Sequence, residues 1–198
     1  TVLDTLFRDA NRRNEVRRIG YDAFGLYLAI DPTFPGRLRV TYSPRLPNSV
    51  IEECGIHPEA VAFHKAAQQI EGMSDGVKAF TGIVAEIIAG DPSVVLIDEP
   101  EAFLHPTLAF KLGKEIAHSA SASQKQVFAS THSANFIMGC VQSGVPINIV
   151  RLTYREGVGT SRVLSNDRLV QLMRNPLLRS TGVIDGLFFE SVVVSEAD

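Results

Sequence analysis

The sequence predicts an α/β layered fold with a mostly parallel central sheet. Amphipathic helical segments alternate with short apolar runs through the middle of the chain, and this alternation is typical of layered α/β domains. The runs at 94–97 and 126–130 are largely apolar, as in strands that are buried on both faces. Of the 198 residues, 45% are hydrophobic and 21% are charged, which suffices for one sizeable core and excludes a disordered chain.

The first third of the chain is predicted to contain a helix, a β-hairpin and a second helix. A polar, basic helix covers residues 3–18. Apolar residues alternate over 24–30 and 38–42 around a turn-forming segment at 31–36, which indicates a hairpin with one buried face. The second helix covers residues 58–70 and begins with proline in its first turn.

The remaining elements follow from caps and from apolar spacing. Ser74 caps a helix whose apolar residues recur with helical spacing, and Gly90 ends it. Pro106 opens the next helix, which reaches residue 118. Further predicted elements are a helix at 134–142, strands at 147–154 and 161–164, a short helix at 166–174 and a last strand at 192–194.

Charge is distributed unevenly along the chain, whose formal net charge is −3. Residues 1–46 contain eight arginines, no lysine and five acids, so this segment carries +3 and the rest carries −6. Arginines can bind the phosphates of a nucleic acid bidentately. The favoured interpretation, however, is a solvated helix face around residues 9–18.

The cysteines and the hydropathy of the sequence indicate the cellular compartment of the protein. The two cysteines are far apart in the sequence, as expected for free thiols in a reducing compartment. No apolar run approaches the ~18 residues that a membrane span needs. We therefore expect a cytoplasmic protein without a membrane span.

Two acids, Asp98 and Glu99, directly follow the apolar run at 94–97. Open α/β sheets bind ligands at the carboxyl ends of their strands. A carboxylate at this point can hold Mg²⁺ beside nucleotide phosphates, and the adjacent glutamate can polarise an attacking water. The alternative is that these acids merely begin a loop, but the complete run through Pro100 favours the functional interpretation.

A second polar segment, residues 130–133 (Ser-Thr-His-Ser), follows the next apolar strand. It is expected at the same sheet edge as Asp98, where His132 can donate a hydrogen bond to a phosphate or to the attacking water. Ser133 is also suited to cap the following helix. A serine hydrolase that uses His132 is a weaker hypothesis, because the sequence contains no Gly-x-Ser-x-Gly motif.

A third segment, residues 72–78, contains glycines around Ser74 and continues through Asp75 and Gly76 to Lys78. Exposed N–H groups and the positive end of the helix dipole suit an anion here. An ordinary capping turn is the alternative.

These three segments, in this order and spacing, resemble the ATP-binding-cassette (ABC) ATPases over residues 70–140. The similarity is greatest to the branch of the OLD (overcoming lysogenization defect) nucleases and the RecF-like and SMC-like DNA ATPases. Residues 73–76 stand where the family has its Leu-Ser-Gly-Gly signature, with Asp75 in place of a glycine. Residues 101–106 match the D-loop region and contain His105, and the Glu-Pro-Glu…Leu-His-Pro form is typical of this branch.

The resemblance implies a role for each matched residue. Asp98 corresponds to the Walker B ligand of Mg²⁺, Glu99 to the catalytic base and His132 to the switch histidine. Ser74 and Gly76 would contact the γ-phosphate of an ATP held by the other protomer, and the signature segment extends to Lys78. The implied cofactors are ATP and Mg²⁺, and the implied partner is a second copy of the chain in an ATP-sandwiched homodimer.

No phosphate-binding Walker A loop, Gly-x-x-x-x-Gly-Lys-Ser/Thr, occurs in the sequence. The only Gly-Lys pair is Gly113-Lys114, which is followed by glutamate. We expect the Walker A loop upstream of Thr1, so that residues 1–190 form the C-terminal portion of an ABC-type ATPase domain. The fold is then incomplete because the Walker A half is absent.

Residues 191–198 resemble the opening strand of a Toprim nuclease domain, in which Glu196 would be a metal ligand. A plain final strand with an acidic end is the alternative. The leading hypothesis is an ATPase that gates an OLD-like nuclease acting on DNA or RNA, often in phage defence. The competing hypothesis is an ATP-dependent scaffold or sensor that holds and releases a protein effector.

Overall fold

The part of the chain that the structure describes combines helices with three small sheets. A computed structural model describes residues 1–174 and 183–188. The helices in these ranges are α1 (Val2–Arg8), α2 (Ala10–Phe24), α3 (Val50–Cys54), α4 (Pro58–Ala66), α5 (Asp75–Ala89), α6 (Pro106–Ala122), α7 (Ala134–Gln142) and α8 (Asn166–Arg174), with 3₁₀ turns at Ile70–Gly72 and Val183–Phe188. The strands are β1 (Tyr27–Asp31), β2 (Arg39–Ser43), β3 (Gln68–Gln69), β4 (Val94–Asp98), β5 (Gln126–Ser130), β6 (Ile149–Arg155) and β7 (Val158–Leu164).

The α/β fold class is confirmed, and the parallel part of the described structure is the β4–β5 pair. The other two sheets are antiparallel: β1, β2 and β3 form one, and the β6–β7 hairpin forms the other. The parallel pair is joined through α6, and its register places Asp98 opposite Ser130. Both strands therefore end at the same edge of the sheet.

The predicted single helix at 3–18 is wrong, because the chain forms two helices that are separated at Asp9. The Asp9 carboxylate accepts hydrogen bonds from the N–H groups of Asn11 (2.9 Å) and Arg12 (3.1 Å), and so caps α2. Aspartate competes well for such caps because its short side chain reaches the free N–H groups of the first turn. This cap begins a new helix and ends α1 at Arg8.

The arginines of α2 do not form one solvated or phosphate-binding face. Arg13 and Arg17 are buried, and both contact the buried carboxylate of Glu53 in α3, with Arg13 Nε 3.0 Å from Glu53 Oε1. Arg18 pairs instead with Glu15 and with Glu115 of α6, 2.8 Å from each. The spacing of apolar residues does not predict this cluster, because it carries no information about buried charged residues. Arginine is rarely buried unless it is paired, so the sequence alone favours an exposed position.

The expectation that β4 and β5 are buried on both faces is wrong for the described structure. Ile97 and Val127 face the main core, which is formed largely by α1, α2, α5 and α6. The opposite face is exposed: Leu96 is 77% and Phe128 is 59% accessible. Side chains alternate between the faces of a strand, so only one face of this two-strand sheet is covered by the described helices.

Close backbone contact joins α6 to α7 and explains the Gly-Lys pair of α6. A Cβ atom added to Gly113 would lie 2.2 Å from the carbonyl oxygen of Phe136, and one added to Gly139 would lie 2.0 Å from that of Phe110. Gly113 therefore serves a helix crossing. The sulfur of Cys140 donates to the Gly113 carbonyl at the same crossing, at 3.3 Å.

The helix predicted at 58–70 is too long: α4 ends at Ala66, because Gln68 and Gln69 pair with β2 as strand β3. Three other predicted elements are confirmed. The hairpin forms as β1–β2, the helix capped by Ser74 ends at Gly90 as α5, and Gly157 turns the β6–β7 hairpin with a φ of 83°. The predicted strand at 192–194 and Glu196 lie outside the described residues.

Candidate functional site

The acidic pair follows β4 at the edge where the two parallel strands end. Asp98 is the last residue of β4, and its carboxylate accepts a hydrogen bond from the Ser130 hydroxyl at the end of β5. The Glu99 N–H donates to the Ser130 carbonyl oxygen at 2.9 Å. The backbone hydrogen bonding between the two segments therefore continues one residue beyond β4. The sheet therefore fixes the backbone of both acids.

Glu99 adopts a left-handed backbone conformation with a φ of 45°. This region is uncommon for residues other than glycine and costs about 1 kcal/mol or more. The carbonyl of Glu99 accepts the N–H of Ala102 at 2.9 Å, so a tight turn holds the conformation. The turn directs Glu99 away from the strand and leaves its side chain 50% exposed.

His132 contacts Glu99 across the sheet edge. Its Nδ1 atom lies 2.9 Å from Glu99 Oε1, and its side chain is 72% exposed. The predicted convergence of Asp98, Glu99 and His132 is thus what the structure describes. A glutamate and a histidine in this arrangement can orient a water molecule and donate to a developing negative charge.

Glu101 belongs to the segment 101–106 that resembles the D-loop region, but it was not among the predicted site residues. Its Oε1 atom accepts hydrogen bonds from Thr131 Oγ1 (2.6 Å) and from the N–H of His132 (3.3 Å). The residue is only 8% exposed. The sequence signal was its place two residues after Glu99, on the same loop, but only the fold shows that it reaches the loop after β5.

The two serines near His132 have other partners. Ser130 donates to Asp98, and the Ser133 oxygen accepts the N–H of Phe136 at 3.2 Å as the cap of α7. The described hydrogen bonds of both hydroxyls therefore lead away from the imidazole, which argues against a serine nucleophile activated by His132.

The turn at 73–76 begins α5, as predicted. Ser74 caps the helix by accepting the N–H of Val77 at 3.4 Å, and Lys78 pairs with Asp75 at 3.2 Å on the exposed side. Gly76 is buried: a Cβ atom there would lie 2.7 Å from the carbonyl oxygen of Phe103. Gly76 therefore packs this turn against the loop that follows Glu99.

His105 caps α6, since its Nδ1 atom accepts the N–H of Thr107 at 3.4 Å. The side chain is exposed, and this cap is its described contact. Its role in nucleotide binding stays a prediction.

The donors at the sheet edge suit a hard divalent cation. Asp98 and Ser130 offer a carboxylate and a hydroxyl oxygen, the ligand types that Mg²⁺ takes together with phosphate oxygens and water. Among the described residues, no group of three or more His, Cys, Asp or Glu side chains is arranged to hold a metal ion unaided. A cation bound by Asp98 and Ser130 could complete its coordination with water and phosphate oxygens.

A family model with the description "AAA domain, putative AbiEii toxin, Type IV TA system" matches residues 62–138. This match runs from α4 to α7 and includes all of the site residues above. It covers less than half of the chain. A search of curated proteins finds no match.

Similar solved structures are heads of SMC ATPases. One, from work on ATP-driven dimerization and DNA-stimulated activation of SMC ATPases, has a TM-score of 0.53 and 17% identity over 87% of this chain and 91% of that chain. A second, an Smc head bound to the C-terminal winged-helix domain of ScpA, has a TM-score of 0.57 and 18% identity over 85% of this chain and 45% of that one. A third, an Smc head with an extended coiled coil bound to the C-terminal domain of ScpA from Pyrococcus furiosus, has a TM-score of 0.55 and 18% identity over 82% of this chain and 37% of that one.

The fold is therefore that of ABC-type ATPase heads, a P-loop NTPase-like α/β fold. The chain spans 91% of one SMC head chain but less than half of the other two. None of the helices within residues 1–174 and 183–188 has the length and hydropathy of a membrane span.

Proposed function

We propose that this chain supplies the catalytic edge of an ABC-type ATPase that hydrolyses ATP with Mg²⁺. The observation that carries the proposal is the convergence of Asp98, Glu99 and His132 at one sheet edge, with the Glu99 and His132 side chains 2.9 Å apart. Support comes from the family match over this edge and from the likeness to SMC ATPase heads.

Each residue has a chemical task in this proposal. Asp98, held by Ser130, is the protein ligand of Mg²⁺, which neutralises phosphate charge when it is bound. Glu99 accepts a proton from the attacking water and orients it. His132 is exposed and can donate to the γ-phosphate oxygens.

In this proposal the phosphate-binding loop lies outside these 198 residues, since they contain no Walker A motif. The exposed apolar face of β4 and β5 supports this proposal, since parallel sheets are normally covered on both faces. A segment that packs on Leu96 and Phe128 would cover this face and lie beside Asp98.

The proposed partner is a second copy of the protein, with ATP held between the heads. Ser74 and Asp75 are exposed at the start of α5, where free N–H groups favour an anion. Ser74→Arg should block ATP-dependent dimerisation through bulk and lost capping. Light scattering of the full-length gene product checks this, and an ATP-induced dimer of unchanged stability would refute the contact in trans.

The central test is Glu99→Gln in the full-length gene product. Turnover of ATP should fall by at least about a hundredfold, because the amide cannot accept the proton. Binding of ATP should persist, since the metal ligand Asp98 is retained. Glu156→Gln, in the β6–β7 turn, is the matched control. Hydrolysis by Glu99→Gln at the wild-type rate would overturn the proposal.

The finer proposal is an OLD-like enzyme in which ATP hydrolysis gates a nuclease. Its support is the Glu-Pro-Glu…Leu-His-Pro form of residues 99–106 and the Toprim-like end of the sequence. Glu196→Gln should then abolish cleavage of nucleic acid while ATP turnover continues. A gene product that turns over ATP and cleaves no DNA or RNA would favour the alternative, a scaffold or sensor for a protein effector. A cytoplasmic location also stays a prediction.

A further inference from the structure

Glu101 lies beneath the exposed Glu99–His132 pair and joins the two loops that carry it. The loop after β4 contributes Glu99 and Glu101, and the loop after β5 contributes His132. The Glu101 carboxylate crosses between these loops through Oε1, which accepts from Thr131 Oγ1 at 2.6 Å and from the N–H of His132 at 3.3 Å.

Thr131 extends this connection to α7. While its hydroxyl donates to Glu101, its oxygen accepts the N–H of Ser133 at 3.0 Å. Ser133 in turn caps α7. One buried carboxylate oxygen therefore fixes the backbone from Thr131 to the first turn of the helix.

The His132 ring has little else to hold it. It is 72% exposed, and its described polar contact at hydrogen-bond distance is with Glu99, which is itself 50% exposed. The Glu101 Oε1 atom lies 3.8 Å from His132 Nδ1 and contacts the backbone of the residue rather than hydrogen bonding to its ring. The ring is thus positioned by its backbone, which Glu101 holds, and by its contact with Glu99.

The environment of Glu101 is not what folding stability alone would favour. Its second oxygen, Oε2, is buried and has no hydrogen-bond partner among the described residues. A buried polar atom without a partner costs stability, and the cost is greater when the group is charged. A neutral side chain with one acceptor oxygen would suffice to link the two loops.

We infer that Glu101 is a positioning residue of the ATPase site, which holds the Thr131–His132 backbone so that His132 stays in contact with Glu99. This inference rests on the proposed ATPase function for its kinetic consequences. The geometric part of the inference, that Glu101 keeps His132 in contact with Glu99, does not depend on ATP.

Two substitutions separate the hydrogen-bond acceptor from the shape of the side chain. Glu101→Gln keeps an acceptor oxygen at the Oε1 position, whereas Glu101→Met keeps a similar length and loses the acceptor. Glu101→Met removes the unpartnered Oε2 atom, whereas Glu101→Gln replaces it with an uncharged amide nitrogen at the same buried position. Circular dichroism of each variant verifies that it folds.

In the full-length gene product, Glu101→Met should lower kcat for ATP hydrolysis about a hundredfold and leave KM for ATP unchanged, because a displaced catalytic group affects the chemical step. Glu101→Gln should retain the wild-type kcat. A wild-type kcat in Glu101→Met would overturn the inference. An equal fall in kcat in both variants would also overturn it, because the charge of Glu101 and not its acceptor oxygen would then matter.

A second measurement needs no nucleotide. In the wild type, ¹⁵N NMR should show the Nδ1 atom of His132 as the hydrogen-bonded donor to Glu99. Glu101→Met should lose this signature, and Glu101→Gln should keep it. If Glu99→Gln hydrolyses ATP normally while this signature still depends on Glu101, the proposed function fails and the positioning survives. An unchanged His132 spectrum in Glu101→Met overturns the positioning itself.

Discussion

Replacement of Glu53 by glutamine should destabilise the protein severely, although Glu53 lies outside the candidate site. Glu53 is the shared acid of Arg13 and Arg17, and the exposed fractions of the three side chains are 6%, 6% and 10%. The guanidinium groups also donate to backbone carbonyls: Arg13 to Leu6 at 2.8 Å and Arg17 to Leu28 at 2.8 Å. This cluster connects α1, α2, α3 and β1.

The magnitude follows from burial. Glutamine keeps the shape and one acceptor oxygen but leaves two buried positive charges without a counter-charge. Removal of one partner from a buried ion pair costs about 3–5 kcal/mol, against a total stability of about 5–15 kcal/mol for a typical domain. For a protein of this size the loss corresponds to a fall in Tm of roughly 6–20 °C.

Urea denaturation followed by circular dichroism measures this free energy of unfolding. Arg13→Met is the informative control, since it leaves Glu53 paired with Arg17 and should cost less than Glu53→Gln. A loss below about 1 kcal/mol for Glu53→Gln would place the cluster in the range of solvated surface pairs and refute the reasoning.

Two further predictions concern helix packing and pH. Gly139→Ala should destabilise the protein by about 1–3 kcal/mol, because the added Cβ atom would lie 2.0 Å from the Phe110 carbonyl oxygen. Thermal unfolding measures this loss. The control is Gly82→Ala, since a Cβ atom at Gly82 would have open space around it. Gly82→Ala should be neutral or stabilising, and a Gly139→Ala variant of equal stability to Gly82→Ala would contradict the crossing. Hydrogen bonds from Arg45 and from the N–H of Asn48 lower the pKa of Glu52 to about 2 from its ordinary value of 4.5. A lowered carboxyl pKa contributes stability that is present above the unfolded value, so this contribution should disappear as the pH falls from about 4.5 to about 2. NMR titration should show the Glu52 pKa rising in Arg45→Met, and an unchanged titration would exclude Arg45 as the cause.

Local sequence signals were sufficient for much of the site. The apolar run before Asp98 and the apolar strand before His132 specify two strands, and parallel pairing then brings both residues to one edge. Ser74 and Gly90 specify the ends of α5 because capping is a property of neighbouring residues. These features depend on contacts within a few residues, or on a general rule of sheet topology.

Contacts between distant segments could not be predicted in the same way. Glu101 meets Thr131, 30 positions later in the sequence, and Glu53 meets Arg17, 36 positions earlier. Neither pairing has a periodic signal, and charged residues are normally assigned to the surface. Burial of Gly76 against Phe103 and of Gly113 against Phe136 was likewise invisible, because a glycine in a helix does not reveal what approaches it.

The glycine contacts of α6 and α7 have a mechanical consequence. These helices begin directly after the two loops that carry Glu99 and His132, and their backbones touch at Gly113 and Gly139. Packed interiors transmit displacement rather than absorb it, so neither helix can slide without the other. Through Gly76, α5 abuts the same loop region. A displacement of this sheet edge would therefore be passed on to all three helices.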